Sequence, residues 1–221
     1  MKVAVLFSGG KDSAFAIYKA KKLGLNVTHL VSIFPDKKDS WMFHSVNIHL
    51  TKKLAEAIGI PLIKKQTKGE KEKELRDLKN VLKKLDIDGV VSGAISSEYQ
   101  KNRIDKICEK LGLKSFAPLW GKKQNKILEE IVKTGFEVII VGVFAAGLDE
   151  SWLGKKINEE TIDELIKLRK RYSINEAGEG GEFETLVLNG PIFKKSLIID
   201  EIEKQWKRDH GVLIIKKAHL E

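Results

Sequence analysis

The chain has 221 residues, a formal net charge of +9 and a pI near 9.4, with 42% hydrophobic and 32% charged residues. This composition is typical of a globular protein large enough to bury a core. Its longest apolar stretch, at 138–148, contains two glycines and is too short to cross a bilayer. The single cysteine, Cys108, excludes an internal disulfide and any CxxC metal or redox site. We expect no membrane partner, no signal peptide and a cytosolic location.

The positive charge is spread along the chain. At 69–86, lysines alternate with glutamates in GEKEKELRDLKNVLKKLD. This mixture is typical of a solvated amphipathic helix with ion pairs between residues four apart. The net charge leaves RNA binding open, but the mixed pattern does not favour it.

The N-terminus is the most informative segment, because a predicted strand at 2–7 runs directly into SGGKDS at 8–13 and a predicted helix at 12–23. Gly9 and Gly10 let the backbone approach an anion, and the first N–H groups of the helix point at the same place. Lys11 adds a cation, while Ser8 and Ser13 add hydroxyl donors. An ordinary junction, with one serine as a helix cap, is the alternative. The complete hexapeptide favours a pyrophosphate site, with a spacing unlike the Walker A and GxGxxG loops.

Strands and helices then alternate. The predicted strands are 27–34, 62–66, 89–93 and 137–143, with a weaker one near 115–117, and the predicted helices are 45–58, 70–85, 97–111, 123–134 and 159–171. Glycines 24, 59, 112 and 135 fall where helices should end. The alternation predicts an α/β fold with a doubly wound, Rossmann-like parallel sheet, whose ligands bind at the carboxyl ends of the strands.

Past residue 172 the pattern changes to short strands. We predict them at 186–188, 197–203 and 211–216, with a turn at 189–191. This region predicts a smaller C-terminal α+β unit. We place an ATP-binding domain at 1–122 and a substrate-recognition domain at 123–221, with the boundary somewhere between 120 and 172.

Two loops that follow strands are candidates for ligand binding. The loop after the second strand contains Ser32 and, at 39–44, aromatic residues beside His44; a surface loop is the alternative. His49 lies five residues from His44, a spacing that disfavours a metal site. After the fourth strand, Gly93 and Ala94 would let an adenine or ribose approach the backbone.

The helix after Ala94 supplies further candidates, which are Tyr99, Gln100 and Arg103. Both Gln100 and Arg103 have structural alternatives: Gln100 forms a capping box with Ser97, and pairing with Glu98 or Glu109 on the surface is the alternative for Arg103. 

The second distinctive segment, at 176–185, has the sequence EAGEGGEFET, in which three glycines and four glutamates interrupt a lysine-rich chain. Its carboxylates are suited to Mg²⁺ held with ATP, to ammonium, or to a cationic substrate. The alternative is the entry to a hairpin with solvated carboxylates.

Three segments carry a family resemblance: SGGKDS at 8–13, GAISSEYQKNRID at 93–105 and GEGGEFETLVLNGP at 178–191. The first resembles the PP-loop of the ATP pyrophosphatase superfamily. All three, with SWMFH at 40–44 and the segment at 147–154, resemble the diphthine–ammonia ligase (diphthamide synthase) family, and the likeness spans nearly the whole chain. The resemblance implies a HUP/PP-loop-type fold and ATP-dependent amidation of the diphthine carboxylate on translation elongation factor two. An acyl-adenylate would form, AMP and pyrophosphate would be released, and ammonium would supply the nitrogen.

The resemblance and the loops together give a set of expected roles. Catalysis is assigned to Lys11, Asp12, Glu182 and Glu184; nucleotide binding to Ser8, Gly9, Gly10, Lys11, Asp12, Ser13, Ser32, Gly93 and Ala94; and acceptor binding to His44, Tyr99, Gln100, Arg103, Glu179, Phe183 and Glu184. Asp12 is the expected Mg²⁺ ligand. Glu179, Phe183 and Glu184 suit the trimethylammonium group of diphthine through charge and cation–π contact.

Three alternatives stay open. One is a PP-loop enzyme that modifies a tRNA base, although Cys108 alone is a poor sulfur carrier and the acidic segment suits RNA badly. Another is a related enzyme acting on a small-molecule carboxylate. The third is a non-catalytic ATP-binding protein. Monomer and homodimer both stay open.

Overall fold

The structure is a computed structural model that describes residues 1–35, 46–67 and 71–221. Within these ranges the helices are α1 (Lys11–Lys22), α2 (Thr51–Ile58), α3 (Lys71–Leu82), α4 (Glu98–Leu111), α5 (Gln124–Lys133) and α6 (Glu159–Tyr172). The strands are β1 (Lys2–Leu6), β2 (Asn26–Pro35), β3 (Leu62–Thr67), β4 (Gly89–Val91), β5 (Lys114–Phe116), β6 (Glu137–Val143), β7 (Phe183–Asn189), β8 (Leu197–Lys207) and β9 (His210–Leu220).

The first sheet is parallel, with strand order β3-β2-β1-β4-β5. Side chains alternate along β1: Val3 and Val5 join the core under α1 and α2, whereas Ala4 joins the core under α3 and α4. Helices on both faces make this the predicted doubly wound α/β sheet. Strands β2 and β3 lie on one side of β1, and the chain then crosses to place β4 and β5 on its other side. The crevice at the carboxyl ends of β1 and β4 is therefore the expected ligand site.

The second sheet is antiparallel, with strand order β7-β6-β9-β8. Strand β6 has the predicted bounds 137–143, but the prediction that it continues the parallel alternation is wrong. It pairs with β7 and β9, and it is buried from Val138 to Val143. An apolar run buried on both faces fits either kind of sheet, so the sequence pattern does not distinguish them.

Helix α1 is packed between the two sheets. Its Phe15 is fully buried and meets the ring of Phe136, just before β6, edge-on at a centroid distance of 5.8 Å. Tyr18 meets the same ring at 6.0 Å, and Lys19 pairs with Glu130 of α5. One continuous core therefore joins α1 to both sheets.

The predicted helix at 45–58 is the clearest error among the element bounds. Helix α2 begins only at Thr51, after a 3-10 turn at Ile48–Leu50, and Asn47 has a φ of 57°. The buried Asn47 amide donates to the carbonyl of Leu213 (2.8 Å) and accepts from the N–H of Ile215 (2.9 Å). Asn47 thus leaves the helical conformation because its side chain pairs with β9.

The other predicted elements agree to within a few residues, except that α3 is shorter and β7, β8 and β9 are longer than expected. The helix stops at Gly24, Gly59, Gly112 and Gly135 are confirmed by positive φ values of 68–81°. Within the described ranges, no helix has the length and apolar character needed to traverse a bilayer.

Cys108 provides a test of the packing between β4 and α4. The side chain is 1% exposed, and burial raises the pKa of its thiol to about 11. At pH 8 roughly one thiol in a thousand is then ionised, so we expect negligible reaction with a thiol-specific dye until the protein unfolds. A Lys53→Cys variant in a Cys108→Ala background, with its thiol on an exposed helical face, is the control that should react within minutes. Rapid, stoichiometric labelling of the native parent would contradict this packing.

Candidate functional site

A cavity of about 140 Å³ lies at the carboxyl ends of β1 and β4, where the chain crosses between the two halves of the parallel sheet. The segment that leads into β7 closes it from the side of the second sheet. Its polar wall is formed by Ser8, Gly10, Lys11, Asp12, Ser13, Ser92, Gly93, Gln100, Glu179, Glu184 and Thr185.

The SGGKDS segment forms a tight turn from β1 into α1. Gly9 has a φ of 85°, and helix α1 starts after Gly10, which has no side chain to cap it. The Ser13 hydroxyl donates to the carbonyl of Gly10 (3.0 Å), and the Ser8 hydroxyl accepts from the Gly10 N–H (3.3 Å). The start of α1 therefore faces the cavity, as an anion-binding helix terminus would.

Lys11 is the buried cation of the site, with only 3% of the residue exposed. Its ammonium donates to the Asp12 carboxylate (2.9 Å) and to the carbonyl of Ala177, and it lies 5.6 Å from the centroid of the Phe183 ring. Its backbone N–H donates to the Thr185 hydroxyl (3.1 Å). These contacts tie the first turn of α1 to the second sheet across 166 residues or more of sequence.

Asp12 has one carboxylate oxygen on Lys11. Its other oxygen, Oδ1, is buried and has no hydrogen-bond partner among the described residues. An unsatisfied carboxylate oxygen beside an anion-binding loop fits Mg²⁺, which typically takes one or two carboxylates together with phosphate oxygens and water. Among those residues, no cluster of three or more potential ligands is present that would hold a metal without a nucleotide.

Gly93 lies where the loop after β4 meets α1. A Cβ placed on it would come within 2.8–2.9 Å of the backbone of Asp12 and Ser13. The close approach that this glycine allows in the structure is therefore to the backbone of α1, and the expected approach of a nucleotide ring stays a prediction. Ala94, the next residue, also lines the cavity.

The acidic segment at 176–185 is held in place by three of its four glutamates. Glu176, 2% exposed, accepts from the N–H of Asn125 (2.9 Å) in the first turn of α5 and pairs with Arg169 at 3.2 Å. Glu182 accepts from the N–H of Asn175 (2.9 Å), the residue just before the segment.

Glu179 makes the densest set of contacts. Its carboxylate accepts from the backbone N–H groups of Ile95, Ser96 and Ser97 at 2.7–3.1 Å and from the Ser96 hydroxyl. Glu179 thereby holds the acidic segment against the loop that connects β4 to α4. Glu179 and Glu184 both line the cavity.

The remaining predicted residues are more scattered. Ser32 is buried and donates its hydroxyl to the carbonyl of Phe7, and the Arg103 guanidinium stacks on the Tyr99 ring at 3.9 Å. The predicted ligands outside the cavity lining are Gly9, Ser32, Tyr99, Arg103 and Glu182. His44 and the loop at 39–44 lie outside the described residues. The assigned roles stay predictions.

Sequence reasoning missed two polar cavity residues, Thr185 and Ser92. Thr185 stands in the quoted segment GEGGEFET, so its position in the motif was a usable signal. Ser92 directly follows β4, and its position at the carboxyl end of a parallel strand was the only sequence signal that it would line the cavity.

The fold and the site together define an α/β protein with a glycine-containing strand–helix turn at the switch point of its parallel sheet. The chain matches the family models for the diphthamide synthase N-terminal domain over residues 1–115 and the diphthamide synthase C-terminal domain over residues 123–220. It belongs to the diphthamide synthase family.

Relatives in other organisms show the same likeness. A diphthine–ammonia ligase of Schizosaccharomyces pombe is 37% identical over 92% of this chain, which spans 37% of that protein's length. The diphthine–ammonia ligase of Danio rerio is 34% identical, with 100% of this chain and 97% of that protein covered. Among solved structures, a predicted subunit of tRNA methyltransferase from Methanocaldococcus jannaschii gives a TM-score of 0.48 at 17% identity, covering 86% of this chain and 98% of that one.

Gly93→Ala tests the contact between the β4–α4 loop and α1. Because the added Cβ meets backbone atoms at 2.8–2.9 Å, the first turn of α1 must shift, and we expect ATP binding to weaken roughly tenfold or more. Calorimetric titration with ATP measures this. Gly112→Ala is the control, since its φ of +68° strains the variant while its Cβ meets no atom within 4 Å. Equal loss of ATP affinity in both variants would contradict a specific role for Gly93.

Proposed function

We propose that this chain joins ammonium to the carboxylate of diphthine on translation elongation factor two, with cleavage of ATP to AMP and pyrophosphate. The observation that carries the proposal is the meeting of two family-typical segments in one cavity. The SGGKDS turn lines it from the parallel sheet, and Glu184 and Thr185 of the acidic segment line it from the antiparallel sheet. A reaction between a nucleotide and an acceptor needs both within one site.

The SGGKDS turn is the proposed site of the pyrophosphate that leaves. Ser8, Gly10, Lys11 and Ser13 line the cavity where α1 begins. Charge builds up on the β-phosphate as the bond to the α-phosphate breaks, so a buried, prearranged cation stabilises the transition state more than the ground state. Asp12 is the proposed ligand of Mg²⁺, which would neutralise phosphate charge when bound.

The acceptor carboxylate is a poor electrophile and needs activation. One of its oxygens attacks the α-phosphorus of ATP and displaces pyrophosphate, which gives an acyl-adenylate with AMP as the later leaving group. Ammonium that has lost a proton then attacks the acyl carbon, and the amide forms as AMP departs. Glu184 and Gln100, which line the cavity, are the proposed polar contacts to the acceptor or the incoming nitrogen. We infer that residues 1–122 supply the nucleotide site and that residues 123–221 supply the acceptor site, to which Gln100 of the first part is added.

Cys108 weighs against two other chemistries. A glutaminase or a sulfur carrier needs an accessible thiolate, whereas burial raises the pKa of this thiol to about 11 within the core between β4 and α4. Free ammonium is therefore the proposed nitrogen donor, and base thiolation is disfavoured.

The direct test combines the protein with elongation factor two that bears diphthine, ATP, Mg²⁺ and ammonium. We expect mass spectrometry to show conversion of the acceptor carboxyl to an amide, with one AMP formed for each amide. Omission of ammonium should stop amide formation, and glutamine should not replace it. If the acceptor stays unmodified and no AMP forms, the proposed reaction is wrong for this chain.

Lys11→Met tests the pyrophosphate site with a side chain of similar length. Loss of the buried ammonium should lower kcat for AMP formation about 100-fold or more. Lys21→Ala, which removes an exposed lysine from the same helix, should leave kcat within about twofold. Melting temperatures establish that both variants fold. Unchanged turnover in a folded Lys11→Met variant would remove this lysine from the reaction.

A further inference from the structure

Three hydroxyl groups lie around the first turn of α1: those of Ser8 and Ser13 in the SGGKDS turn and that of Thr185 in β7. Each hydroxyl can accept hydrogen bonds but has a single proton to donate. The Ser13 hydroxyl donates its proton to the carbonyl of Gly10 (3.0 Å). The Ser8 hydroxyl lies 3.3 Å from the Ser13 oxygen and is therefore the donor of that pair. Both serines thus use their protons within the turn.

Thr185 differs from the two serines in what happens to its proton. Its hydroxyl oxygen accepts from the N–H of Lys11 (3.1 Å), so its own proton points to another acceptor. Among the residues that the structure describes, none accepts that proton. Thr185 is only partly buried and lines the cavity where α1 begins. Its proton is therefore available to a ligand in the cavity.

The backbone of β7 fixes Thr185 beside the turn. The N–H of Val187 donates to the carbonyl of Gly9 (3.0 Å). A Cβ added to Gly10 would lie 3.3 Å from the Thr185 carbonyl oxygen, 3.5 Å from the Thr185 hydroxyl and 3.4 Å from the Ser8 hydroxyl. Because Gly10 has no side chain, β7 packs directly on the turn. The Thr185 hydroxyl consequently lies about as close to Gly10 as the hydroxyl that the turn itself supplies.

Helix α1 offers N–H donors at the same place. The N–H of Ala14 reaches the carbonyl of Gly10 (3.1 Å). The N–H groups of Asp12 and Ser13 precede it, and their acceptors one turn back would lie outside the helix. A phosphate oxygen at the start of α1 can accept from these N–H groups and from the Thr185 hydroxyl together.

A second cavity hydroxyl indicates a ligand with acceptor oxygens at this place. Ser92 is 4% exposed and lines the same cavity, yet its hydroxyl has no hydrogen-bond partner in the described part of the chain. The neighbouring Gly93 packs on the backbone of Asp12 and Ser13, so Ser92 lies near the first turn of α1. A buried hydroxyl without a partner is unfavourable unless a ligand or water completes its hydrogen bonds.

We propose that the Thr185 hydroxyl donates a hydrogen bond to the pyrophosphate that the SGGKDS turn binds. This inference rests on the proposed function for the identity of the ligand. It assigns Thr185 to the nucleotide site, although the residue belongs to the part of the chain that supplies the acceptor site. One side chain of β7 thus completes a phosphate site whose other donors lie in residues 8–13.

The test measures the binding of the two ATP products without catalysis. Pyrophosphate and AMP are titrated separately into the full chain with Mg²⁺ present, and binding is followed by calorimetry. Thr185→Val removes the hydroxyl but keeps the branched shape that suits a strand. We expect pyrophosphate affinity to fall about tenfold, the usual effect of losing a hydrogen bond to a charged group, and AMP affinity to stay within about twofold. Thr185→Ser keeps the hydroxyl and should bind pyrophosphate within about twofold of the parent.

Thr161→Val is the matched control, because Thr161 is 1% exposed and donates its hydroxyl to the carbonyl of Lys156 (2.7 Å), away from the cavity lining. This variant should melt at a lower temperature without a change in pyrophosphate affinity. Equal losses of pyrophosphate and AMP affinity in Thr185→Val would assign Thr185 a structural role and overturn the proposal.

Unchanged pyrophosphate affinity in a folded Thr185→Val variant would also overturn the contact, while leaving the proposed amidation intact. Pyrophosphate binding that depends on Thr185 in a protein that fails the amidation assay would instead support the contact and reject diphthine as the acceptor.

Discussion

Burial of α1 between the two sheets is the constraint on which the rest of the structure depends. Phe15 and its neighbours in this helix are fully buried, and they belong to a core that contains residues of both sheets. The chain enters that space through a sharp turn after β1, which requires the positive φ of Gly9. The polar start of the helix consequently lies at the junction of the sheets, and this junction is where the cavity forms.

The SGGKDS turn is therefore completed by the second half of the chain. The carbonyl of Gly9 accepts from the N–H of Val187 in β7, the N–H of Lys11 donates to Thr185, and the Lys11 ammonium donates to Ala177. Each of these bonds joins the first turn of α1 to residues 177–187. The proposed nucleotide part, residues 1–122, and the proposed acceptor part, residues 123–221, are therefore joined by these hydrogen bonds at the cavity.

Local sequence signals predicted the elements and the SGGKDS turn, because helix stops at glycine and the strand–turn–helix pattern depend on near neighbours. What they could not predict depends on distant residues. The antiparallel pairing of β6 is decided by β7 and β9, and the late start of α2 is decided by the bond from Asn47 to β9. The roles of the glutamates were equally hidden, because Glu176 and Glu179 find their partners 51 and 82–84 residues away.

Those distant partners explain how an acidic segment can border the N-terminus of α1. A helix N-terminus attracts a negative charge, and the carboxylates of Glu176 and Glu179 satisfy the N–H groups that begin α5 and precede α4. At the start of α1, the N–H of Lys11 donates instead to the Thr185 hydroxyl, which is uncharged and does not neutralise the positive end of the helix. The charge of Asp12 is paired with the Lys11 ammonium. The segment thus commits two of its charges to neighbouring helices, while the helix that faces the cavity keeps its capacity for an incoming anion. Glu184 lines the cavity beside Thr185, from the side of the second sheet.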